Sequence, residues 1–209
     1  MTILKNLNGI SFIMALAISL IFQSFTIKVP KMKVQEKQTA PGFTINDVNG
    51  KIINLADYKG KKVLLTFYRN VGCPICNLRF HEIQEQSEYF KSKNLIVLAI
   101  YESSATNMKK YLEGENPYAV MVPNPEQDLY QLYGIEKSTG KALKSIFHGG
   151  IGKAKKGKQL FKTTIKQDGN GNTIGADFLI DERGVVNTAY YGKFIGDHLP
   201  IDKIKSFLN

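Results

Sequence analysis

Two uninterrupted apolar runs, residues 63–68 (VLLTFY) and 95–100 (LIVLAI), constrain this chain more than any other feature. Six residues are too few for a core helix, and continuous apolar character is the mark of a strand covered on both faces. Between the runs, after Pro74, the residues Phe80, Ile83 and Phe90 recur at spacings of three and seven. That spacing puts one apolar stripe on a helix running to about residue 91. Strand, helix, strand in this order calls for a right-handed parallel crossover, the nucleus of an α/β sheet.

The rest of the chain extends that frame. Residues 43–46 and 51–54 flank Asn49-Gly50, a strong turn signal, and read as a short hairpin. Helices are expected at 106–112 and 126–133, around a strand at 118–122. Residues 178–181 (FLID) and 185–191, joined by Glu182-Arg183-Gly184, form a late hairpin, and 201–208 a final amphipathic helix. Residues 136–172 are rich in glycine and lysine and read as an insertion before the last strands, with a short strand near 160–165. Gly149-Gly150-Ile151-Gly152 follows no buried strand and lacks a P-loop or dinucleotide pattern, so it reads as a flexible loop.

Residues 10–22 are almost unbroken apolar and follow Lys5, the arrangement of a signal peptide or membrane anchor over 1–28. The reading is therefore an extracytoplasmic protein, exported or tethered to the membrane through residues 10–27. Residues 29–40 are polar and basic, as in a linker, and the folded domain is expected over 41–209. Lysine and arginine number 28 against 18 acidic residues, a net charge of +10, so anionic partners must be considered. The densest run, 153–158 (KAKKGK), lacks interleaved aromatics and arginines. It reads as a solvated basic loop, with no nucleic-acid partner.

Cys73 and Cys76 are the chain's two cysteines, placed after a buried strand and at the start of a helix. Pro74 suits the first helical position, which makes Cys73 the N-cap and sets Cys76 one turn on. A thiol there meets unpaired backbone N–H groups and the positive end of the helix dipole, both of which favour thiolate. The second thiol is then placed to attack a mixed disulfide and close a Cys73–Cys76 disulfide. Zinc would need four ligands, and His81, His148 and His198 are scattered without ligand spacing. A purely structural disulfide would close a very short loop and remove little unfolded-state entropy. Inert buried thiols are the other reading. No metal or cofactor is expected.

The segment KKVLLTFYRNVGCPICNLRFHEIQ resembles the active-site region of the CxxC-bearing, peroxiredoxin-like branch of the alkyl hydroperoxide reductase C/thiol-specific antioxidant group. NPEQDLYQLYGI, GADFLIDERGVVNTAYYG and GDHLPIDKI resemble later segments of that branch, so the likeness covers most of residues 41–209. It implies a thioredoxin-like fold, with a central mixed sheet flanked by helices. It further implies a thiol-dependent oxidoreductase acting on hydroperoxides or protein disulfides, with electrons from a reducing thiol protein. Carried over by residue, the family's proline, threonine and peroxide-attacking cysteine fall on Arg69, Cys73 and Cys76, and only the cysteine matches. The family's late arginine falls near Gly175. Thioredoxins proper attack with the first cysteine, here Cys73, and carry a cis-proline where this chain again has Gly175. The order of attack is therefore open at this point.

Arg69 is a candidate supporting cation for a thiolate or a peroxide oxygen, or else a strand-end arginine paired to a carboxylate. Asp197 and His198 read as a turn before the last helix or as support for the site. His81, Glu82 and Glu85 read as a solvated helix face or as proton carriers. The rival function is a non-catalytic thioredoxin-like module whose basic insertion holds an acidic partner or a membrane.

Overall fold

The computed structural model describes residues 32–162 and 165–209, so the expected signal or anchor over 1–28 lies outside the described residues. A two-stranded hairpin, β1 (Thr44–Asn46) and β2 (Ile52–Asn54), pairs Thr44 with Asn54 and Asn46 with Ile52. The main sheet has five strands: β3 (Val63–Phe67), β4 (Ile96–Tyr101), β5 (Val120–Pro123), β6 (Ala176–Ile180) and β7 (Val186–Tyr191), in the order β5-β4-β3-β6-β7. The expected parallel pairing of the two apolar runs is present, with Val63 opposite Ile96 and Phe67 opposite Ile100. β5 pairs in parallel with β4, whereas β6 pairs antiparallel with β3 and β7 antiparallel with β6. The result is the mixed sheet of a thioredoxin-like fold.

The helices are α1 (Pro74–Glu85), α2 (Ser87–Ser92), α3 (Ala105–Tyr111), α4 (Asp128–Leu132), α5 (Thr139–Phe147), α6 (Gly150–Gln159) and α7 (Ile201–Leu208). The single helix expected to residue 91 is two, because Gln86 leaves helical geometry at φ −93, ψ 6. Alternation along the strands sends side chains to two cores. On one face Leu64, Tyr68, Val97, Ala99 and Leu179 meet Phe80, Ile83, Phe90, Met108 and Ile204 from α1, α2, α3 and α7. On the other, Leu65, Phe67, Leu98, Ile100 and Phe178 meet Leu129 and Tyr130 of α4 with Phe43, Ile53 and Tyr133. Phe67, Tyr133 and Phe178 form a mutual aromatic cluster with centroids 5.1–5.9 Å apart.

Four readings change. Part of the stretch read as a linker is packed: Val34 and Ala40 are buried, and Lys37 N–H donates to the Val186 carbonyl at 2.7 Å along β7. Residues 150–152 of the stretch read as a glycine-rich loop, and the basic run 153–158, are helical. Gly149 (φ +76) turns the chain between α5 and α6, and α6 contains the whole lysine run. The strand near 160–165 is absent from its described residues, where Leu160 and Phe161 simply follow α6. At the neck of the insertion Ser138 N–H donates to the Asn172 carbonyl at 2.8 Å, and Ile174 N–H to that of Glu136 at 3.0 Å. The excursion is thereby closed at its base.

Candidate functional site

β3 delivers the chain to a tight loop, Arg69-Asn70-Val71-Gly72, that ends at the N-terminus of α1. Cys73 is the N-cap in extended geometry (φ −80, ψ 114), with Pro74 opening the helix. Cys73 Sγ accepts from Cys76 N–H at 3.3 Å, and Cys76 Sγ lies 2.6 Å from Cys73 Sγ, donating to it. The cysteines are free thiols, 1% and 4% exposed.

Their environments push the two thiols apart. The hydrogen bond from Cys76 is the main reason the Cys73 thiol is held down at about 7 against the opposing effect of burial, helped by the Arg69 cation and the N–H groups of Ile75 and Cys76. Burial, then the same hydrogen bond seen from the donor's side, pushes Cys76 well up. Tyr68, Tyr101, Tyr111 and Tyr130 share this region, and burial raises all four, with the neighbouring Cys76 adding to the effect. Of the two thiols, Cys73 is therefore the readier to ionise, and Cys76 the one held neutral. This is the division of properties that an attacking and a resolving thiol require.

Arg69 joins the site electrostatically. Its Nε donates to the Asn170 carbonyl at 3.2 Å and its guanidinium to Gln167 Oε1 at 3.3 Å. Among the described residues it forms no ion pair. Gly175, where both templates carry a different residue, lies against His198 and the Phe67 carbonyl.

The other candidates sort by contact. Asp197 accepts from Tyr190 Oη at 2.7 Å and Lys193 N–H at 2.8 Å, so it is the expected turn residue. His198 is different: it packs on Tyr68 and pairs through Nδ1 with buried Asp177 at 3.1 Å. Glu82 pairs with Arg79 at 3.2 Å, His81 lies edge-on to Phe80, and Glu85 is exposed.

Sequence reasoning missed the cover over the thiols. α6 packs on α1, and the arm that follows it returns across the loop before Cys73. A Cβ at Gly157 would stand 1.8 Å from the Pro74 carbonyl oxygen, and one at Gly72 would stand 2.8 Å from that of Ile165. The insertion therefore closes on the residues either side of Cys73. Asn77 Nδ2 donates to the Gly157 carbonyl at 2.8 Å, and its Oδ1 accepts from Tyr111 Oη. Asp168 secures the arm, accepting from Ser103 Oγ at 2.6 Å and from Ser104 N–H at 3.0 Å, while Ser103 Oγ also accepts from Val71 N–H at 2.9 Å. A buried asparagine one residue past the second cysteine was the available signal.

The family model for the AhpC/TSA family matches residues 37–189. Thiol-disulfide oxidoreductase ResA of Bacillus subtilis is 37% identical over 70 residues, covering 34% of this chain and 38% of ResA. Peroxiredoxin Bcp of the same organism is 24% identical over 118 residues, covering 55% of this chain and 75% of Bcp. Among solved structures, peroxidoxin BcpB from Mycobacterium tuberculosis superposes with a TM-score of 0.61 at 15% identity, covering 84% of this chain and 96% of BcpB. A structure assigned to the thiol:disulfide interchange protein DsbE of Chlorobium tepidum gives 0.57 at 18% identity, covering 85% of this chain and 100% of that one. The last two likenesses bear on fold alone. With the matched region spanning well over half of the sequence, the chain belongs to the AhpC/TSA family of the thioredoxin-like superfamily.

Proposed function

We propose that this protein is a thiol-disulfide oxidoreductase in which Cys73 attacks and Cys76 resolves. The observation that carries the reading is the Cys73 sulfur at the helix N-cap, accepting from both the backbone and the thiol of Cys76. The Cys73 thiolate attacks one sulfur of a disulfide, forming a mixed disulfide and expelling the other sulfur as thiolate. Cys76 then attacks Cys73 Sγ, its proton passes to the departing substrate sulfur, and a Cys73–Cys76 disulfide closes. Two electrons have moved to the substrate, and a reducing dithiol protein restores the pair.

A hydroperoxide is the second substrate class, favoured by the Arg69 cation beside the sulfurs. Cys73 takes the terminal oxygen as sulfenic acid, an alcohol or water leaves, and Cys76 condenses with the sulfenic acid to release water. In both cases substrate reaches Cys73 only when the insertion lifts from Gly72 and Pro74. Export or tethering through residues 10–27 belongs to the same proposal and rests on their apolar sequence. C73S and C76S variants test it: C76S should accumulate a mixed disulfide or a sulfenic acid and C73S neither. Turnover of disulfide and peroxide substrates left at the wild-type rate in both variants would end this reading.

A further inference from the structure

Independently of the redox reading, we propose that the α5–α6 hairpin is a docking surface for an anionic lipid bilayer. A surface helix ordinarily turns its apolar stripe to the core, and α5 does the reverse. Ser145 is its buried residue, while Leu143, Ile146 and Phe147, spaced to share one face, stand 57%, 49% and 84% exposed. Just past the Gly149 turn, Ile151 at the start of α6 is a further exposed apolar side chain, at 69%. Lys155 and Lys158, four and seven residues on, share its face of α6.

Charge identifies the occupant. From 137 to 167 the chain carries nine lysines and no acidic residue. Lys144, Lys155, Lys156 and Lys158 form no ion pair among the described residues. A second copy would set this excess against itself. Residues 10–22 contain no carboxylate to balance it. An acidic protein would answer the lysines, but a phenylalanine 84% exposed projects from the surface instead of lining a groove. Exposed apolar side chains on a lysine-rich hairpin are the combination that enters the headgroup boundary of a bilayer carrying negative lipid.

The sequence contains no tryptophan, so F147W in the full chain places one reporter on the patch, with I151W as a second and I52W, on β2, as a remote control. With phosphatidylglycerol vesicles the emission of F147W and I151W should shift to the blue and be quenched by brominated acyl chains, and I52W should remain water-like. Phosphatidylcholine vesicles should leave the F147W signal unchanged. K155Q/K156Q/K158Q should weaken partitioning of F147W roughly 100-fold, about five-fold for each lysine near an anionic surface. Four results would overturn the proposal. These are a water-like F147W on phosphatidylglycerol vesicles, even where the chain cosediments with them through residues 1–31; an equal shift on both lipids; a blue-shifted signal before vesicles are added, which means that the chain's own segment or a second copy covers the patch; and a shift with polyglutamate equal to that with vesicles.

Discussion

Asn77 Nδ2 donates to the Gly157 carbonyl at 2.8 Å, fixing the insertion to the helix that Cys73 caps and that contains Cys76. Asn77 is itself buried, and its other amide atom accepts from Tyr111 Oη. One side chain therefore satisfies a carbonyl of α6 and a hydroxyl of α3. N77A would leave both without that partner, at a cost of about 1–3 kcal/mol per buried group. Alkylation of the reduced protein by iodoacetamide should become faster than in wild type at the same pH, and the urea midpoint should fall. An unchanged alkylation rate would show that the contact does not govern access to the thiols.

Two glycines of α6 should respond oppositely to alanine. At Gly157 the new Cβ would meet the Pro74 carbonyl carbon and oxygen, backbone atoms that no rotamer change can move. G157A should separate α6 from α1, with a loss of about 1–3 kcal/mol, the usual range for overpacking, and faster thiol labelling. At Gly152 a Cβ meets nothing within 4 Å. G152A should be neutral or should stabilise by up to about 1 kcal/mol through helix propensity. Thermal melts of the two variants decide the matter.

The ionisation of Cys73 is readable from the pH dependence of alkylation. With its thiol held at about 7, first by the hydrogen bond from Cys76, the labelling rate should rise with a midpoint near that pH. C76A removes the leading cause and should move the midpoint up towards the ordinary cysteine value of about 8.5. R69Q should move it the same way by less, because the arginine acts behind the hydrogen bond and against burial. A midpoint that C76A leaves in place would mean that the Cys76 thiol is not what holds Cys73 down.

How much of this was legible in the sequence follows from where apolar side chains do the packing. β3, β4 and α7 are held by continuous or periodic apolar residues, and their positions match expectation closely. Cys73 as N-cap followed from Pro74. The α5–α6 hairpin escaped because its inward contacts are made by Ser145, Gly150 and Gly157. Small residues that pack by close backbone approach leave no apolar period. Asp177 escaped because it lies in the apolar run of β6, where only its three-dimensional partners distinguish it.

Asp177 provides an acid-stability test. Its fully buried carboxylate accepts from Thr66 Oγ1 at 2.6 Å and Leu199 N–H at 2.7 Å, and faces His198. Burial pushes the carboxyl up, but His198, Arg79 and Thr66 together outweigh it and hold it at about 2, below its ordinary 3.8. A carboxyl with a lowered folded-state pKa adds stability above its unfolded value, and that contribution is lost as pH falls through the folded value. Asp177 should therefore add a contribution on the order of 2 kcal/mol above about pH 4, fading towards pH 2. D177N removes one partner of a buried pair and should cost about 3–5 kcal/mol near neutrality. Its disadvantage relative to wild type should shrink as the pH is lowered from 4 to 2, because only the wild type has a charge left to lose. Urea unfolding of both proteins across that range measures the gap, and a gap that stays constant would mean that Asp177 is not ionised in the folded state.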